Sequence, residues 1–181
     1  MHRTYTEGFT LVELMVTIAI MAILVAIAFP SFEASMRSNR LATTNNELIA
    51  SLSLARSEAV KSVRGAGVCA SVDGTACDGE WTDGWLVWQD AEGGVAAEFD
   101  EDTDAVIKHV GGRGGLEVSL LNVSGVAVES LGFDTRGRPV ATSMPLAWTV
   151  TPENCPTGGE FVRVIEMTTV GQTKSLKGDC P

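Results

Sequence analysis

The sequence predicts an α+β fold in which a long, kinked N-terminal helix packs on an antiparallel β-sheet domain. Three observations carry this. From Phe9 to Phe29 the only polar residues are Thr10, Glu13 and Thr17. Beyond Pro30 an apolar stripe recurs with helical period, and after Gly67 short strand-like runs alternate with glycine, aspartate and asparagine.

Residues 1–8, MHRTYTEG, form a short polar leader, and no A-x-A-like site follows the apolar run as it would in an ordinary secretory signal. Residues 9–30 are the membrane-length segment: the twenty-one residues from Phe9 to Phe29 span about 31 Å as a helix, close to a hydrocarbon core of about 30 Å. The helix is expected to continue through residues 31–64. Pro30 kinks it there, because a proline nitrogen has no hydrogen to donate to the Ala26 carbonyl. Leu41, Leu48, Leu52, Ala55, Ala59 and Val63 make the apolar stripe, Arg37, Arg40, Asn45, Glu47, Glu58 and Lys61 take the other faces, and Gly65 and Gly67 supply the stop signal. Residues 65–181 are the β-rich globular part. The runs GVCASV, GWLVWQD, AVIKHV, LEVSLLNV, SLGFD, RPVATS, LAWTVT and EFVRVIEMTT read as an antiparallel sheet, with GGRGG at 111–115 a turn between strands. Leu146, Trp148 and Val150 alternate with Ala147, Thr149 and Thr151, so one face of that strand meets a core. The apolar stripe of the helix and the apolar face of the sheet then pack together.

A chain of 181 residues accommodates one ordinary domain with an appended element. Its 13 basic and 23 acidic residues give a net charge of −10, which disfavours nucleic acid as a bulk partner. The four cysteines, Cys69, Cys77, Cys155 and Cys180, lie beyond the apolar segment and lack metal-ligand spacing, so they read as disulfides of an oxidising compartment. Of the three possible pairings, local loop closure favours Cys69 with Cys77 and Cys155 with Cys180. The charges flanking the apolar segment are too balanced to orient it: Arg3 stands against Glu7, and Arg37 with Arg40 against Glu33. The cysteines place the C-terminal domain on the oxidising side.

Little points to catalysis, and no metal or cofactor is expected. His109 is the one histidine beyond the leader and stands in a predicted strand, so a triad or histidine metal site has little to build on. In the acidic run 98–106, Asp100, Asp102 and Asp104 alternate as in a calcium loop, but the sixth position is Ala105 and the twelfth Gly111, so the run reads as a solvated loop. Arg113 in GGRGG, and Arg136 with Arg138 in TRGRP, are flanked by glycine and proline as in plain hairpin turns. Asn122-Val123-Ser124 fits a glycosylation pattern inside a predicted strand and is assigned no role.

Glu13 is the anomaly. An unpaired acid at the centre of a membrane helix costs about 2.5 to 3.5 kcal/mol, which marks such a residue as functional. The membrane segment offers no side-chain cation, but a cut between Gly8 and Phe9 creates an α-amine with an ordinary pKa of about 7.7 to 8.0.

The stretch GFTLVELMVTIAIMAILVAIAFPSF, residues 8–32, resembles the N-terminal signature of type IV pilin-like proteins, with Gly8, Phe9, Thr10, Leu11, Glu13 and Pro30 at the positions that family uses. The resemblance implies cleavage after Gly8 by the prepilin peptidase, N-methylation of Phe9, retention of the apolar helix, and a role for Glu13 and Pro30 in assembly. LARSEAVKS at 54–62, WTDGWLVWQD at 81–90, the acidic stretch with DAVI, and LGFDTRGRP are similar to the GspH/FimT/FimU group of minor pilins and pseudopilins. That group implies the type IV pilin fold and a structural subunit held in low copy in the pilus, in the tip or initiation complex, supporting assembly, twitching motility and adhesion. The implied partners are other major and minor pilins, the inner-membrane assembly platform and the prepilin peptidase. The implied location is a single pass of the bacterial inner membrane with a periplasmic C-terminal domain, then the pilus or pseudopilus. Two alternatives stay open: a GspH-like pseudopilin of a type II secretion system, and a DNA-binding competence pilin. For the latter, the G-R-x-R motif has no counterpart in TVGQTKSLKGDCP, where Lys174 and Lys177 face Asp179; Arg136, Arg138, Lys174 and Lys177 are the DNA-contact candidates.

Overall fold

A computed structural model describes residues 9–91, 98–140 and 143–180. The chain divides into two compact units, Met1–Ser38 and Asn39–Pro181.

In the first unit the described residues are almost wholly helical. Helix α1 (Leu11–Ser62) begins here and continues through Pro30. The large apolar side chains from Phe9 to Phe32 are all exposed. A helical segment that is apolar all round and exposed along its length is suited to lipid or other helices as its surroundings. Among the described residues, α1 is the one helix long and apolar enough to cross a membrane.

In the second unit the rest of α1 buries Leu41, Leu48, Leu52, Ala55 and Ala59, the stripe expected from the sequence. The helix ends two residues before the expected 64: it stops at Ser62, and Val63 follows with φ of 55° and 73% exposure. The stop is therefore a valine in the left-handed region rather than Gly65 or Gly67. Gly67 instead lies within β1 (Ala66–Ala70), where it leaves room for the Trp88 indole.

The remaining strands are β2 (Gly84–Gln89), β3 (Ala105–Gly111), β4 (Leu116–Asn122), β5 (Ser130–Phe133), β6 (Pro139–Val140), β7 (Leu146–Pro152), β8 (Val162–Met167) and β9 (Thr173–Gly178). They form two antiparallel sheets among the described residues, ordered β3-β2-β1-β5-β6 and β4-β7-β8-β9. This corrects the expectation of a single sheet. Period-2 alternation fixes which face of a strand is buried but not which strand lies beside it. The 111–115 turn thus carries the chain from β3 in one sheet to β4 in the other, and Arg113 anchors it to Glu47 of α1 with N–O distances of 2.9 Å. Strand β9 is a second correction, because its Lys174, Ser175 and Lys177 conceal a strand behind polar composition. Of the run RPVATS, Ala141 and Thr142 lie outside the described residues.

Both sheets turn their apolar faces to α1. Val68, Trp85, Val87, Leu131 and Phe133 from the first meet Leu120, Trp148, Val150 and Ile165 from the second in one core cluster with the helix stripe. Polar ties cross this core. The Trp85 indole donates to Ser51 of α1 at 3.0 Å, and the Thr82 hydroxyl donates to the Val118 carbonyl while accepting from its N–H. The outer face of the first sheet carries a smaller cluster of Cys69, Leu86 and Trp88, against which Phe99 packs.

Candidate functional site

The three polar residues of the apolar run are the natural starting point. The Thr10 N–H and hydroxyl both donate to one Glu13 carboxylate oxygen at 3.1 Å, and the Thr10 hydroxyl accepts from the Glu13 N–H at 3.2 Å. The Thr10 carbonyl accepts the first helical bond, from Leu14. This is a reciprocal capping box, T-x-x-E, with the carboxylate at the positive end of the helix dipole. It partners the carboxylate of a glutamate near the start of an apolar helix within the same turn. The T-x-x-E spacing that forms the box stands in the sequence itself, where the apolar surroundings of Glu13 mask it as a membrane charge. Thr17 turns its hydroxyl inward to the Leu14 carbonyl at 2.8 Å, which leaves the flanks of the helix apolar. Phe9 is 85% exposed, and Gly8 lies outside the described residues. Pro30 sits inside α1, in the same exposed segment.

The four cysteines form two bridges: Cys69 with Cys77 and Cys155 with Cys180, at Cα separations of 5.6 and 5.4 Å. The first closes a loop whose Gly74, at φ of 84°, packs flat on His109, giving that histidine a packing role. Asp73 in this loop accepts from the Thr75 hydroxyl and N–H, and these bonds hold its carboxyl below the usual aspartate range.

The DNA-contact candidates lie on two elements, one in each sheet. Arg136 and Arg138 lie on the β5–β6 turn, where Asp134 accepts from both backbone N–H groups at 2.9 Å and from the Arg138 guanidinium. Partial burial raises the Asp134 carboxyl, but the N–H and guanidinium of Arg138 and the N–H of Arg136 outweigh it and leave it lowered. Lys174 and Lys177 lie on β9 of the other sheet, Lys174 in register with Glu166 and Lys177 4.0 Å from Glu160. In the acidic run, Asp104 accepts from the N–H groups of Ala91 and Asp100, and Asp100 from that of Asp102. These carboxylates organise their own loop, and no group among the described residues has the arrangement to hold a metal. Asn122 likewise accepts from the N–H groups of Ser124 and Val126 and shapes a hairpin turn.

Residues 44–171 match the family model for the type II transport protein GspH, and residues 3–29 match the prokaryotic N-terminal methylation motif. No curated protein matches the chain. The fold is similar to that of the type IV minor pilin FimU of Pseudomonas aeruginosa PAO1 in two crystal forms. In the first (space group P21) the TM-score is 0.55 at 25% identity, over 75% of this chain and 87% of that one. In the second (P65) it is 0.53 at 25% identity, over 74% and 90%. The minor pseudopilin EpsH from the type 2 secretion system of Vibrio cholerae gives 0.48 at 14% identity, over 73% and 92%. With one family model spanning more than two thirds of the chain and the methylation motif covering its apolar helix, the chain belongs to the GspH family of type IV pilin-like proteins, the minor pilins and pseudopilins.

Proposed function

We propose that this subunit is a FimU-like minor type IV pilin, stored in the bacterial inner membrane and incorporated in low copy, at the tip or initiation complex, into a pilus that serves motility and adhesion. The observation that carries the reading is the exposed apolar segment from Phe9 to Phe32 with its capped glutamate. In this reading the prepilin peptidase cuts between Gly8 and Phe9, the new amine of Phe9 is methylated, and the cysteine-bearing domain stands in the periplasm. On the assembly platform, helices of major and minor pilins replace lipid around residues 9–30. Glu13 then exchanges its Thr10 donors for the Phe9 amine of a neighbour. A full positive charge in low dielectric is a stronger partner than a hydroxyl and an amide, so this exchange favours assembly over storage.

Glu13→Gln keeps acceptor atoms for Thr10 but carries no charge, whereas Glu13→Ala loses both. Both variants should reach the membrane at the wild-type level and be depleted at least about tenfold, as loss of roughly 1.4 kcal/mol or more implies, from sheared filaments. Wild-type recovery of both would sink the proposal. The match to the type II transport family supports a second reading, a minor pseudopilin. Deletion of the gene separates the two: loss of twitching with secretion intact supports the pilus, and the reverse supports the secretion system.

A further inference from the structure

Arg56 of α1 stands where turns from both sheets converge. It donates to the backbone carbonyls of Gly171 at 2.8 Å and Val170 at 3.1 Å in the β8–β9 turn. On the β5–β6 turn, a Cβ on Gly137 would stand 2.9 Å from Val60 and 3.1 Å from Arg56, and a Cβ on Gly171 would stand 3.1 Å from the Gly137 carbonyl oxygen. Both glycines have positive φ, 70° and 77°, so the turns close on the guanidinium through bare backbone. Carbonyls hold a guanidinium in place without neutralising it, and it has more N–H donors than these two acceptors use. Arg56 is half-buried, and no carboxylate among the described residues forms an ion pair with it.

Beside this cation runs a groove of about 640 Å³ between the C-terminal part of α1 and strands β8 and β9. Leu52, Val60 and Met167 give it apolar walls, and Arg56 and Lys61 are the charged residues that line it. Lys61 is 3.3 Å from Glu58 across one helical turn, and its side chain is 77% exposed, a geometry that screens rather than cancels its charge. The lining thus suits an anion that also carries apolar groups. Nucleic acid fits it poorly, because no aromatic side chain lies among the described lining residues to stack a base and the chain carries a net charge of −10. A carboxylate flanked by apolar side chains fits well. The carboxylate matches the planar guanidinium fork, and its neighbours cover the walls.

We infer that the α1/β8–β9 groove takes an acidic peptide segment, a carboxylate flanked by apolar side chains, presented by a pilin of different sequence. The inference rests on the low-copy filament-subunit reading, under which the neighbours of this chain are other pilins and not further copies of itself.

The probe is a short synthetic peptide that alternates leucine and glutamate and carries a photoreactive benzophenone, mixed at low salt with the full chain in detergent micelles. Its adducts should map to residues 52–61 and 167–173, and a counterpart with lysine in place of glutamate should give severalfold fewer. Arg56→Gln should lower the yield at least about tenfold, as loss of roughly 1.4 kcal/mol or more implies. Because Arg56 also ties the turns together, Lys61→Glu on an exposed side chain is the second variant. It should lower the yield of the acidic peptide severalfold and raise that of the lysine peptide, both effects shrinking at high salt. Adducts confined to residues 9–32, equal yields from the two peptides, a yield indifferent to Lys61→Glu, or competition by a DNA duplex but not by unlabelled peptide would each overturn the site. In cells, Lys61→Glu should reach the membrane at the wild-type level and enter sheared filaments severalfold less than wild type; wild-type incorporation would overturn a pilin segment as the occupant. The Glu13 variants separate the two failures: if they are depleted from filaments while Lys61→Glu is not, the subunit reading stands and the groove assignment falls.

Discussion

Glu13 and Thr10 show how a carboxylate is held within an apolar run. The carboxylate is costly in an apolar run only while it is unpartnered, and the T-x-x-E spacing supplies a partner within the same turn. Asp134 follows the same logic on the β5–β6 turn, holding three donors from the Arg136 and Arg138 residues. Its folded carboxyl is lowered, so its contribution is present above the unfolded value of about 3.9 and is lost as pH falls through the folded value. Asp134→Asn should therefore lower stability by about 1 to 2 kcal/mol near pH 7, with the gap closing below about pH 4; denaturant titrations at the two pH values measure it. Val63 is the opposite case, a β-branched residue at φ of 55° with an exposed side chain that packs against little. Val63→Gly removes a backbone penalty of roughly 1 to 2 kcal/mol against a smaller chain-entropy loss of about 0.5 to 1 kcal/mol. The midpoint of unfolding should rise rather than fall.

At the scale of elements, α1 was readable beyond Ser38 because a 3.6-residue period needs no partner to be seen, and Leu41 to Ala59 are buried as that period requires. Its end was not, since glycines nearby drew the stop signal away from Val63. Strand β1 explains why Gly67 was available elsewhere. An added Cβ would lie 2.6 Å from the Trp88 ring, well inside contact distance. Gly67→Ala should therefore destabilise the domain by about 1 to 3 kcal/mol and shift the near-ultraviolet circular dichroism of the displaced indole. A variant as stable as wild type, with an unchanged spectrum, would show that the Trp88 cluster is looser than its packing implies. Strand β9 escaped reading because exposed edge strands need little apolar content; its pairing with β8 from Val162↔Gly178 to Met167↔Thr173 comes from backbone bonds.

For the whole molecule, two local bridges and one shared core hold the second unit together. The Cys69–Cys77 and Cys155–Cys180 bridges close sequence separations of 8 and 25 residues, and loop-closure entropy gives each about 3 kcal/mol. Reducing agent should lower the unfolding temperature of the full chain in detergent by several degrees or more, while the helical signal of the apolar segment persists. An unchanged transition on complete reduction would remove the bridges from the stability of the domain. The sequence by itself determined the membrane-length helix, the amphipathic continuation, the position of Glu13 and the likeness to pilin-like subunits, because period, hydropathy and short motifs are local properties. Only the tertiary structure decided that the strands divide into two sheets, that the C-terminal tail is a strand, that the basic residues of the turn and of β9 belong to different sheets, and that Arg56 lines a groove. Each of those depends on which distant segments lie side by side, a choice made by shared burial against α1 and by backbone pairing rather than by any one stretch of residues.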